Sequence, residues 1–190
     1  TAEAAVPGEP IPNIATLTYD VAGVPEIMNS NIVTVVVRSP AVIKFLKYAP
    51  STPGVDDVPV AVTAYDTGGS FINITQPPPT LLPTVPLGGT PIYFLGETLY
   101  LRVTNLDQNI KTTEADTILI TITCTETGDT ETLRLIETGD DTGVFSGYLP
   151  TIENIIPAPD GQMVVTDECH LEASYTDIYD LVQTVTTAAL

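Results

Sequence analysis

The residues able to do chemistry are few. The single histidine, His170, follows Cys169, and the only other cysteine is Cys124. One imidazole and two thiols become a metal site when a carboxylate joins them. No CxxC, HxH or HExxH spacing marks such a site, so no metal is expected. The cysteines are candidates for one disulfide, Cys124 with Cys169, or for two buried thiols acting as small hydrophobes. Asp107 and Asn109 near Asp116, and Asp140 with Asp141, are weak Ca²⁺ candidates. They lack EF-hand or nonapeptide spacing, and turns favour Asp for its local backbone hydrogen bonds. Asp177 and Asp180 beside Tyr175 and Tyr179 read the same way. His170 is the sole base for a Ser-His-acid triad, and no GxSxG elbow accompanies it. A carboxylate pair for glycoside cleavage is defined by separation in space, and nothing among 24 Asp and Glu residues singles one out. Asn73-Ile74-Thr75 is a glycosylation sequon. Lys44 and Lys47 sit in an apolar stretch, where an isopeptide crosslink is the sharp reading and a stem packed on the core is the plain one. No catalytic residue and no cofactor is assigned, and the chain is expected not to be an enzyme.

The elements that would position these groups are strands. Residues 116–149 alternate Ile118, Ile120, Ile122 and Cys124 with Leu119, Thr121, Thr123 and Thr125, a period of two. Thr127-Gly128-Asp129 turns the chain, and Leu133 and Leu135 then share a face opposite Thr132 and Arg134. Residues 139–143 turn it again into a third strand, 144–149. Further strands are expected at 42–49, 58–65, 71–75, 98–104, 162–166 and 170–175, and the chain closes on 181–190. Residues 76–83, with Pro77-Pro78-Pro79, read as an extended crossing rather than a polyproline ligand motif. No stretch has a helical period. Strands at this spacing, with turn signals between them, predict an all-β, immunoglobulin-like β-sandwich over 41–190.

Residues 1–40 read differently. Pro7, Pro10 and Pro12 predict an extended arm over 1–12. Ala15, Leu17, Tyr19 and Val21 then alternate with polar residues, a loop is expected over 22–30, and Ile32, Val33, Val35 and Val37 belong to a run apolar on both faces. Such a strand expects cover on both sides, and a two-stranded hairpin is marginal alone.

Composition narrows the partners. Six Lys and Arg against 24 Asp and Glu give a formal charge of −18. A field of that sign repels phosphate backbones and anionic lipids, so neither nucleic acid nor a membrane surface is an expected partner. No apolar run reaches the ~18 residues of a spanning helix, so the chain is not expected to be an integral membrane protein. The Ala-rich start, TAEAA, resembles the new end left by signal-peptide cleavage, or one left by trimming.

Three stretches, GETLYLRVTNLDQN (96–109), ADTILITIT (115–123) and GDTETLRLIETGDDTGVFSGYLPT (128–151), resemble an Ig-like repeat of large bacterial surface proteins. LEASYTDIYD (171–180) matches the strand that usually follows. ATLTYDVAGVP and NSNIVTVVV, within 13–37, resemble the last two strands of another repeat type in those proteins, and SPAVIKFLKYAPS (39–51) resembles the start of the domain that follows it. The resemblance implies a structural, adhesive protein without catalytic residues. Cys169 departs from the pattern, standing where a Gly or polar turn residue is usual. The resemblance also implies that 13–37 is the end of a domain whose other strands are missing here. The expectation is an extracellular or cell-surface subunit, secreted after signal-peptide cleavage. It would polymerise with itself head to tail, the N-terminal segment adding a strand to the next copy. The subunit interface is then Ala15, Leu17, Tyr19, Val21, Ile32, Val33, Val35 and Val37. The alternative is a cell-surface adhesive or carbohydrate-binding β-sandwich module, with glycans or other surface components as partners.

Overall fold

A computed structural model describes residues 10–36, 38–50, 52–75, 84–153, 155–179, 181 and 183–190. The chain is all-β and forms two compact units, Thr1–Ser39 and Pro40–Leu190.

The first unit holds β1 (Pro10–Asn13), β2 (Thr16–Val21), β3 (Val24–Asn29) and β4 (Val33–Val36). β2 and β3 form an antiparallel hairpin closed by Ala22 and Gly23, and β1 pairs antiparallel with β4. Ala22 (φ 56°) and Gly23 (φ 85°) both have positive φ, the conformation of a tight hairpin turn. The Asp20 carboxylate accepts from the Gly23 amide at 2.7 Å and fixes that turn. The loop expected over 22–30 is therefore mostly a strand, and the extended arm ends in one. Pro25 obscured β3. It lies beside the turn, opposite Asp20, at the end of the ladder, where a missing donor costs least.

The second unit begins with β5 (Val42–Tyr48), β6 (Asp56–Pro59), β7 (Ala64–Asp66), β8 (Phe71–Asn73), β9 (Thr84–Gly89) and β10 (Leu99–Thr104). It continues with β11 (Thr117–Cys124), β12 (Thr130–Glu137), β13 (Val144–Leu149), β14 (Thr151–Ile152), β15 (Met163–Val164), β16 (His170–Thr176) and β17 (Gln183–Ala189). One large sheet runs β17-β16-β11-β12-β13-β10-β5-β9-β6, with β7 and β8 branching from β12. The branch makes the sandwich. Ile136 and Glu137 at one end of β12 pair with β13, whereas Leu133 and Arg134 pair with β7. The sheet thus turns a corner within one strand and folds its inner faces together. The far edge returns as well: Tyr93 N donates to Ala189 O at 2.8 Å, and Ala189 N to Pro91 O at 2.9 Å.

The meander 116–149 takes the alternation its sequence predicts. Ile118, Ile120, Ile122 and Cys124 are buried, and Leu119 is half exposed. They pack with Leu133, Leu135, Phe145, Leu149, Leu99, Leu101, Val103 and Leu171 in one core. Tyr93 closes it, edge-on to Phe45, its hydroxyl donating to Leu46 O at 2.7 Å. Burial pushes that phenol's pKa far above its ordinary value. The strand expected at 58–65 is two short ones, β6 and β7, separated by residues 60–63. β9 was not legible because its sequence, TVPLGG, holds a proline and two glycines. Pro86 lies opposite Asp57 of β6, and on the other side its carbonyl accepts from Ala49 N at 3.0 Å, just past the β5 ladder of Leu87, Gly88 and Gly89, so the absent N–H falls at the end of that ladder.

Candidate assembly surface

Every side chain from Ile11 to Val35 is exposed, in strands that are rich in large apolar residues. On one face of the β2-β3 hairpin, Leu17, Tyr19 and Val21 lie opposite Met28, Glu26 and Val24. On the other, Thr18 lies opposite Ile27, which is 67% exposed. In the second ladder Ile11 lies opposite Val35 and Asn13 opposite Val33. Ala15 sits between β1 and β2, its N–H donating to Ser30 Oγ at 2.9 Å, and Ile32 directly precedes β4. Val37 lies outside the described residues, as do the expected polyproline crossing at 76–83 and Asp180. The structure therefore groups Leu17, Tyr19 and Val21 on one hairpin face and puts Val33 and Val35 on the other ladder. It adds Val24, Ile27 and Met28, which sequence reasoning missed. Their signal was the Ala22-Gly23 turn, which sets the register once read as a hairpin.

In water this unit has little to hold it. Each ladder has two strands, its turn hydrogen bonds are solvent-exposed, and its described side chains from Ile11 to Val35 are all exposed. Isolated two-stranded ribbons are marginal, and a contiguous exposed apolar surface marks an interaction site.

The other candidates are dispersed over the second unit. Asp107 lies buried in a 3-10 turn (Leu106–Gln108) capped by Asn105, whose Oδ1 accepts from Asp107 N at 3.0 Å. Asn105 Nδ2 donates to the Tyr175 hydroxyl and to Asp177, so this corner is a buried polar knot. Asn109 Nδ2 donates to Asp141 Oδ1 at 2.6 Å, which joins two of the weak Ca²⁺ candidates. The neighbouring carboxylates are engaged by backbone. Asp116 Oδ2 accepts from Ile110 N and Lys111 N, and Glu137 Oε1 accepts from Thr142 N and Gly143 N. Their geometry is that of loop clamps. Lys47 rests over the Phe94 ring, and Lys44 is exposed opposite Arg102.

Cys124 and Cys169 are both fully buried and form a disulfide, with Cα atoms 6.0 Å apart. Pairing of β11 with β16 brings them together, since Cys124 lies opposite Leu171. The turn after β11 then delivers Glu126 to the start of β16. His170 Nδ1 is 2.6 Å from Glu126 Oε1, and His170 N donates to Oε2 at 2.6 Å. These two contacts with His170 hold the Glu126 pKa down at about 2. Glu126 has no signal in the sequence, because its role depends on a pairing across 44 residues.

A groove of about 510 Å³ crosses the outer face of β11, β12 and β16, lined by Leu119, Thr121, Thr132, Ser174, Thr176 and Ile178 among others. Among the described residues no helix is long and apolar enough to cross a membrane. No family model matches this chain, and no curated protein matches it.

Proposed function

We infer that this chain is a non-enzymatic structural subunit of an extracellular filament or cell-surface assembly. It polymerises head to tail, its N-terminal segment adding a strand to an immunoglobulin-like sandwich in the next copy. The observation that carries this reading is the exposure of every described side chain from Ile11 to Val35, in two ladders rich in apolar residues, whereas the second unit has a core of its own. An edge strand offers unpaired N–H and C=O groups in the right spacing. Backbone bonds supply affinity there, and alternating side chains supply register. Low charge density supports the reading, because copies of a chain at −18 repel unless their contact surfaces are neutral. β1 and β4 contain no charged residue. Burying a large side chain such as Leu17 or Ile27 contributes about 1.5–3 kcal/mol. The substitutions Leu17→Asp and Ile27→Asp together are expected to abolish sedimentable polymer while the second unit melts unchanged. Polymer at the wild-type level would contradict the reading.

A second reading is a surface module that binds carbohydrate. Its support is the hydroxyl-lined groove over β11, β12 and β16, whose size suits a small ligand. Glycan-array binding that Thr121→Ala and Thr132→Ala reduce, by a protein that stays monomeric, would favour it.

A further inference from the structure

We propose that, once its disulfide is reduced, the end of the β11-β16 pair is a Zn²⁺ site formed by Cys124, Cys169, Glu126 and His170. Three of the four donors already converge. The two sulfurs and a Glu126 carboxylate oxygen all lie within 4.8 Å of one another. Cys124 Sγ is 3.9 Å from Glu126 Oε2. The fourth donor, His170 Nδ1, lies 2.6 Å from the other oxygen of that carboxylate.

The donor chemistry is selective. Two thiolates, one imidazole and one carboxylate match the tetrahedral N, O and S preference of Zn²⁺, whereas Ca²⁺ and Mg²⁺ require oxygen cages. Zn–S bonds of about 2.3 Å place tetrahedral thiolates roughly 3.8 Å apart, a separation two cysteines can reach with their Cα atoms held 6.0 Å apart. The sulfurs form a buried floor, and His170 and Glu126 stand at its solvent edge, which gives an ion a way in. The chemistry is exclusive between states. Reduction adds two electrons and two protons to the S–S bond, giving two thiols, while a phosphine reductant supplies the electrons and is oxidised to its oxide, one water giving its oxygen to the oxide and its two protons to the thiols. Zn²⁺ then displaces both thiol protons as two Zn–S bonds form. The disulfide has no thiolate to offer, so the same pair serves as either of two crosslinks across 45 residues.

The test uses the full chain and Co²⁺ as a spectroscopic stand-in, followed by Zn²⁺ titration. After phosphine reduction and removal of the reductant, one Co²⁺ per chain is expected to bind. It should show a thiolate-to-cobalt charge-transfer band that one equivalent of Zn²⁺ abolishes, and Zn²⁺ should raise the melting temperature of the reduced chain. The oxidised chain is expected to show no band. His170→Ala, at an exposed position, should weaken metal binding about tenfold or more, as loss of one of four ligands implies. A reduced chain that gives no band overturns the proposal. So does equal binding by the oxidised chain or by a Cys124→Ser, Cys169→Ser double variant, since the acidic surface would then be the ligand.

Discussion

Glu131 shows how one side chain can couple a loop to pH. It is fully buried on the inner face of β12, where Oε1 accepts from Asp160 N at 2.9 Å and Gly161 N at 3.1 Å. Its other oxygen has no partner among the described residues. Burial, with the Asp129 and Asp160 carboxylates adding to it against those two N–H donors, pushes its pKa from 4.5 to about 7. A carboxyl whose folded pKa is raised binds more protons folded than unfolded between those two values. Unfolding free energy therefore falls as pH rises through that window, by at most ~1.4 kcal/mol per pH unit for one proton. Glu131→Gln removes the contribution. Urea unfolding at about pH 5 and about pH 8 should show the wild type losing more stability across the interval than the variant. Equal losses would contradict this assignment. At this scale the sequence was partly legible. Leu17 and Tyr19 could be named from alternation, Val33 and Val35 from a run apolar on both faces, and Cys124 and Cys169 from type. Glu131 and Glu126 could not, since each works through a loop brought near by distant strands. Glu131 and Glu137, acidic residues in phase with Leu133 and Leu135 on the apolar face of β12, are the local anomaly that could have drawn notice.

Among elements, β12 governs the second unit. Its inward face reads Glu131, Leu133, Leu135, Glu137, with two hydrophobes in the core and a carboxylate clamping a loop at each end. β13 must lie close against this face, and Gly147 permits it. A Cβ there would come within 2.3 Å of Leu135 Cδ2 and 2.7 Å of Thr63 Oγ1. Thr63 is itself fully buried and accepts from Tyr148 N at 2.9 Å, so it has little room to retreat. Gly147→Ala is expected to destabilise the chain by about 1–3 kcal/mol, the usual cost of overpacking, read by chemical denaturation. A variant as stable as the wild type would show that β13 has slack. The meander was legible because each strand buries one face, so period and burial coincide. β3 and β9 were not, because Pro25, Pro86 and the glycines of β9 suppress the local strand signal, and there pairing with a neighbour overrides local propensity. The gap at 60–63 was missed for the opposite reason: Val-Ala-Val-Thr reads as strand but lies between β6 and β7.

For the molecule as a whole, the second unit holds a buried core, whereas the side chains described from Ile11 to Val35 in the first unit are all exposed. The sequence predicts an assembly segment over 1–40, from the doubly apolar run before Arg38. The all-β sandwich was legible too, from strand spacing and turn residues. What the sequence withheld was how the exposed surface is divided, between a hairpin closed by Ala22-Gly23 and a separate β1-β4 ladder. The central claim is that this first unit drives self-assembly through strand addition. Electron microscopy of the purified full chain beside a chain lacking residues 1–39 tests it most directly. The account predicts filaments from the full chain and folded monomers from the shortened one, whose core remains intact. Filaments from the shortened chain, or a full chain that stays monomeric at high concentration, would contradict it.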